Sequence, residues 1–151
     1  MFRTIPGAVV VFAAALVLSG CSKSPPPIVP VEGVVLLNGQ PLPNAQIKFV
    51  PTMDLGYEYV ASGTTDEYGR FTLTCNGQPG ACACENRVTV TDAPPPEKAR
   101  GMSADAQAAM TKFYAGLKNR PIPSDYITIA KTPLVIAVAA GHGEYILELK
   151  R

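Results

Sequence analysis

The sequence predicts an all-β sandwich of about seven antiparallel strands with one inserted helix. Three observations predict it. Short runs of β-branched or alternating residues recur at roughly regular spacing. Gly, Pro, Asn and Asp fall between those runs, where the chain must turn. Neither a strand–helix–strand rhythm nor an internal repeat shows along the 151 residues.

From the N-terminal side, VEGVVLL (31–37) is β-branched and apolar, and Asn38-Gly39 after it suits a tight hairpin turn with positive φ. QIKFV (46–50) alternates and stops at Pro51, and residues 60–65 form the next strand. DEYG turns the chain into RFTLTC (70–75), a further alternating run. NRVTVTD (86–92) comes after a cysteine-bearing loop, CNGQPGACAC. The closing segment places strands at 134–138 and 145–149 around a Gly-containing turn.

The helix lies in an insertion at about 93–120. Ser103 is the expected N-cap, with Asp105 in the first turn. Ala106, Ala109, Met110, Phe113 and Leu117 fall at helical spacing and give one apolar stripe. Lys118 and Arg120 suit the C-terminal end, and Pro121 stops the helix. Such a stripe is expected to pack on the sandwich, covering a sheet edge. The alternative is a ligand lid or a partner surface.

Ahead of the domain, Arg3 precedes an apolar run from Ala8 to Leu18. Eleven residues are too few to span a bilayer as a helix but suit a signal-peptide core. The run ends in LSGC, residues 18–21, which resembles the bacterial lipobox. That resemblance implies a signal peptide over residues 1–20, cleaved before Cys21, and acylation of Cys21. Several acyl chains on one residue meet the need of stable anchoring for more than a single chain. Residues 21–30, with SKSPPPIVP, read as a Pro-rich, semi-rigid tether. Residues 31–151 form the domain. Ser22 after the cysteine, with no aspartate there, favours the outer membrane where the cell has one. The expected location is therefore exported and lipid-anchored.

Charge excludes some partners. The chain carries 13 basic and 12 acidic residues, and Arg3 is the only charge before Cys21. From Cys21 onward the charges balance and no basic run occurs, so the electrostatic footprint of a nucleic-acid partner is missing. The expected partners are the membrane, through Cys21, and an envelope protein or saccharide.

The motifs VEGVVLLNGQPLPNAQIKFVP, ASGTTDEYGRFTL, RVTVTD and TPLVIAVAAG together resemble small bacterial lipoproteins carrying a carboxypeptidase regulatory-like, transthyretin-like domain. The resemblance covers most of residues 31–151. It implies a β-sandwich that binds or supports and holds no zinc ligands. The matching residues also have local reasons. Asp66 accepts backbone N–H groups in its turn, Gly69 takes a left-handed position, and Phe71 plugs into the core. Two segments depart from the pattern: the cysteine loop and the helical insertion. Any private function is expected there.

No catalytic constellation appears. His142, the one histidine, lies in AAGHGEY between two glycines, and the sequence designates no partner for it as a base. No cofactor, metal or catalytic residue is expected. A hydrolase of the transthyretin-related kind is the enzymatic alternative, but in that family the activity needs several histidines and a C-terminal motif that ILELKR does not match. The third reading is a metal or redox sensor using Cys75, Cys82 and Cys84. An exported chain sits where disulfides persist, so a staple is expected instead. Cys75 with Cys84, facing each other across an antiparallel pair, is the first pairing, and Cys75 with Cys82 competes with it. Either leaves one thiol over.

Overall fold

The computed structural model describes residues 24–151, and Cys21 and the apolar run lie outside them. The strands are β1 (Ile28–Val29), β2 (Glu32–Leu37), β3 (Gln40–Pro41), β4 (Ala45–Pro51), β5 (Ala61–Thr64), β6 (Arg70–Thr72), β7 (Thr74–Cys75), β8 (Gln78–Pro79), β9 (Ala81–Cys82), β10 (Glu85–Asp92), β11 (Val135–Ala137) and β12 (Tyr145–Leu149). One helix, α1, covers Ala104–Ala115. The architecture is an all-β sandwich.

The larger sheet runs β11-β10-β4-β5-β7-β8 and the smaller β12-β2-β3, with β6 also on β2 and with β1 and β9 paired on their own. Alternation explains the register. In β4, Ala45, Ile47 and Phe49 are buried and Lys48 is exposed. Its partner β10 brings Val88 and Val90 opposite Phe49 and Ile47. In β12, Tyr145, Leu147 and Leu149 point inward between exposed Ile146 and Glu148. These faces, with Val35, Leu37, Phe71 and Leu73, make one core between the sheets.

Four features differ from the sequence expectation. The run expected as one strand over 70–75 is two. β6 pairs with β2 in the small sheet and β7 with β5 in the large one. Leu73 between them is buried and donates its N–H to the Val31 carbonyl at 3.1 Å, so the chain changes sheets there. Second, β12 runs parallel to β2, whereas every other pair among the described residues is antiparallel. Third, the fold takes in the end of the expected tether, since Ile28 and Val29 pair with Cys82 and Ala81.

The fourth concerns the helix. Ser103 caps it, its Oγ accepting the Ala106 N–H at 3.2 Å, but the helix stops at Gly116 instead of continuing to Pro121. Of the apolar stripe only Ala106 is buried, and none of the stripe joins the core between the sheets. The stripe is therefore not packed on the sandwich as expected. α1 rests chiefly on the single turn Glu97–Ala99, within its own insertion.

Candidate functional site

The sandwich has two ends, and the two unusual segments lie at opposite ones. β4 links the ends; its seven residues reach about 20 Å. At the far end, where β4 starts, the helical insertion is pinned down. Asn44 Nδ2 donates to the Gly116 carbonyl at 3.0 Å. Asn119 Nδ2 donates to the Leu37 and Gln40 carbonyls at 3.0 and 3.1 Å. Arg120 pairs with Asp92 at 2.5 Å and donates to the Pro43 carbonyl at 2.8 Å.

The turn residues singled out from sequence share that far end. Asn38 and Gly39 have φ of 52° and 76° and close the β2–β3 hairpin. Asp66 Oδ1 accepts the N–H groups of Tyr68 and Arg70, each at 2.9 Å. Gly69 sits at φ 75°, and a Cβ there would stand 2.7 Å from the Val35 carbonyl. Phe71 is buried beside Phe49, with ring centroids 6.3 Å apart. All five serve backbone turns or the core.

The near end gathers the chain's entry, the cysteines and a loop over residues 52–60. Ala83 N–H donates to the Pro27 carbonyl at 2.8 Å, so the N-terminal segment joins the fold beside the cysteines. Thr52 N–H donates to the Glu85 carbonyl at 3.0 Å, and Val138 N–H to the Cys84 carbonyl at 2.9 Å. The Cys75 thiol lies 3.5 Å from the Glu58 carbonyl.

The three cysteines are unbridged thiols here. The expected facing of Cys75 and Cys84 across a strand pair is not found. Asn76 and Gly77, at φ 48° and 74°, turn the chain at once, so Cys75 stands opposite Gln78. Cys82 in turn stands opposite Ile28. The thiols still neighbour one another. Burial raises the Cys75 thiol above its ordinary pKa, and the nearby Cys82 charge adds to this. Burial also raises Cys82, partly offset by a hydrogen bond with Cys84. Cys84 is raised by burial and by Cys82, while an Asn86 hydrogen bond opposes. At neutral pH all three stay protonated, so they are poor nucleophiles. Among the described residues no group of three or more His, Cys, Asp and Glu side chains is placed to hold a metal ion.

Asn86 is the residue that sequence reasoning missed. It is fully buried, and its Nδ2 donates to the Cys82 and Cys84 carbonyls at 3.2 and 2.8 Å. Its Oδ1 has no partner among the described residues. This one amide shapes the Cys82–Cys84 turn. An asparagine at a strand start is a weak signal, because such residues more often face solvent.

His142 stacks on Tyr145, with ring centroids 4.3 Å apart, and the Tyr145 hydroxyl accepts the Ala139 N–H at 3.2 Å. The imidazole thus packs within its own turn. Two open grooves flank the sandwich. One, of about 530 Å³, is polar, with Glu32, Asp66, Arg70 and Glu144 on its walls. The other, of about 480 Å³, lies under the 52–60 loop and is walled by Val50, Leu55, Tyr57, Val60 and Ile129 with Lys48 and Asp54.

The chain matches no family model, no curated protein and no solved structure. No helix among the described residues is long and apolar enough to cross a membrane.

Proposed function

We propose that this chain is a lipid-anchored, non-enzymatic module of the carboxypeptidase regulatory-like kind, acting in binding or support at the cell envelope. The observation that carries the reading is the order of the N-terminal signals: Arg3, the apolar run to Leu18, then LSGC at 18–21. The entry of the chain at Pro27, directly into a strand pair, supports it, since a short tether then holds the domain close to its anchor. The reading places the protein outside the inner membrane, on the outer membrane where one exists. Its ligand is an envelope protein or a saccharide.

The test is Cys21→Ala. The substitution abolishes incorporation of labelled palmitate and removes the protein from the membrane fraction. A variant that stays with membranes and still takes up label rejects the lipobox.

A staple belongs to the same reading. In an oxidising compartment Cys75 and Cys82 give up two electrons and two protons to a disulfide oxidant and form the bridge. Cys82 is favoured over Cys84 because β9, which ends in Cys82, packs against β7, which ends in Cys75. Cys84 is then the remaining thiol, beside Asn86. Closing this loop contributes about 2–3 kcal/mol in the chain-entropy picture. Peptide mapping without reduction identifies the pair; three alkylated cysteines in folded, exported protein reject the staple.

A further inference from the structure

We infer that the loop around Met53–Tyr57 is a second membrane contact, dipping its apolar and aromatic side chains into the headgroup layer of a zwitterionic phospholipid bilayer. The inference rests on the lipid-anchor reading and adds an orientation to it. Its first support is where the chain enters. Pro27 is bonded to Ala83, and the strand pairing beyond it brings Glu85 to Thr52, so the entry point and the loop share one end of the sandwich.

The second support is length. Pro27 lies six residues beyond Cys21, and a fully extended chain of six residues reaches about 20 Å. An anchor at Cys21 therefore keeps Pro27 within about that height of the bilayer, a distance no longer than β4 itself. The end carrying the tether is therefore the end held nearest the lipid.

The third support is the loop's chemistry. Tyr57 is 95% exposed and Met53 46% exposed, whereas Leu55 lies half-buried behind them. Neither exposure serves the fold. Tyrosine has an apolar ring and a polar hydroxyl, which suits the boundary between acyl chains and water. Gly56, at φ 88°, makes the turn that presents Tyr57. The charges flanking it, Asp54 and Glu58, are acidic and exposed. They oppose binding to an anionic surface, and the segment after Cys21 has no basic run to overcome this. The contact is therefore apolar and aromatic, and salt should not dissolve it.

The chain contains no tryptophan, so one substitution gives a unique probe. The full chain carrying Tyr57→Trp is reconstituted into vesicles of brominated phosphatidylcholine, beside a Tyr68→Trp control at the far end, where Tyr68 is also exposed. The expected result is quenching of the probe at 57 by at least about twofold, unchanged by high salt, with the probe at 68 unaffected. Equal, weak quenching of both overturns the inference. Loss of the position-57 quenching in salt, or quenching only with anionic lipid, overturns it too. Intact mass of the same preparation reports acylation of Cys21 separately. Should the chain prove unacylated, both variants are produced from residue 21 onward with a histidine tag ahead of it and held on nickel-chelating lipid. Selective quenching at 57 then upholds the loop contact although the natural anchor is rejected, and its absence rejects the contact.

Discussion

Single residues fall into two kinds, those that hold a turn and those that decorate one. Gly69 is of the first kind. At φ 75° it leaves no room for a side chain, and its carbonyl accepts the Val35 N–H at 2.8 Å. Gly69→Val strains the backbone by about 1–2 kcal/mol and adds the clash with the Val35 carbonyl. His142→Ala removes only a stacked ring at an exposed turn, within about 0.5 kcal/mol. Chemical denaturation of the two variants should separate their midpoints clearly, with Gly69→Val much the lower. The thiols add a pH dependence to the reduced protein. Their pKa values are raised in the folded state, so above about pH 8.5 the unfolded chain loses protons that the folded chain keeps. Stability is complete below that pH and declines as the pH rises through the alkaline range. A Cys75→Ala, Cys82→Ala, Cys84→Ala triple variant should lose this decline, and an unchanged alkaline slope would show that the thiols are not its source.

Elements differ in how far local sequence dictates them. The strands Ala45–Pro51 and Tyr145–Leu149 are legible because alternation is a local property and each has one buried face. The helix start is legible for the same reason, since Ser103 needs only its own next turn to act as a cap. The cysteine region is harder to read. Asn76-Gly77 carries the same hairpin signal as Asn38-Gly39, but the three cysteines around it suggest a longer loop. Once that dipeptide turns the chain, Cys75 faces Gln78 and Cys84 is left to another element. Break and sheet change at Leu73, like the role of Asn86, depend on partners far along the chain, which alternation cannot report. Two predictions belong to this scale. Asn86→Ala removes two hydrogen bonds, leaving the Cys82 and Cys84 carbonyls only the Cys84 and Val138 N–H groups, and should cost about 1–3 kcal/mol in a thermal or denaturant melt. In contrast, replacing residues 96–117 by a short linker, with Asn119 and Arg120 retained, should leave a cooperatively melting domain, because α1 adds nothing to the core between the sheets. A collapsed melt in the shortened chain would mean that the half-buried stripe supports the sandwich after all.

The whole molecule is tied together by its last strand. β12 lies parallel to β2, so the first long strand and the last share a ladder from Gly33–Tyr145 to Leu37–Leu149. A parallel pair forms only after the intervening chain has been laid down, and nothing in ILELK announces which neighbour it will take. This pairing also secures the C-terminus. Asn38 N–H donates to the Leu149 carbonyl at 2.9 Å, and Lys150 N–H to the Tyr126 hydroxyl at 3.0 Å. Tyr145, Leu147 and Leu149 are all buried. At roughly 1.5–3 kcal/mol for each large apolar side chain, β12 contributes an amount comparable to the 5–15 kcal/mol that separates a typical domain from its unfolded state. Removing residues 144–151 should therefore abolish cooperative unfolding, and it would also leave an edge of β2 unpaired and prone to association. Leu147→Ala offers a milder form of the same test, with an expected cost of about 2–5 kcal/mol and retention of a sharp transition. A truncated chain that stayed monomeric and melted cooperatively would show that the six-stranded sheet with β2, β3 and β6 suffices, and that β12 serves only to cover an edge.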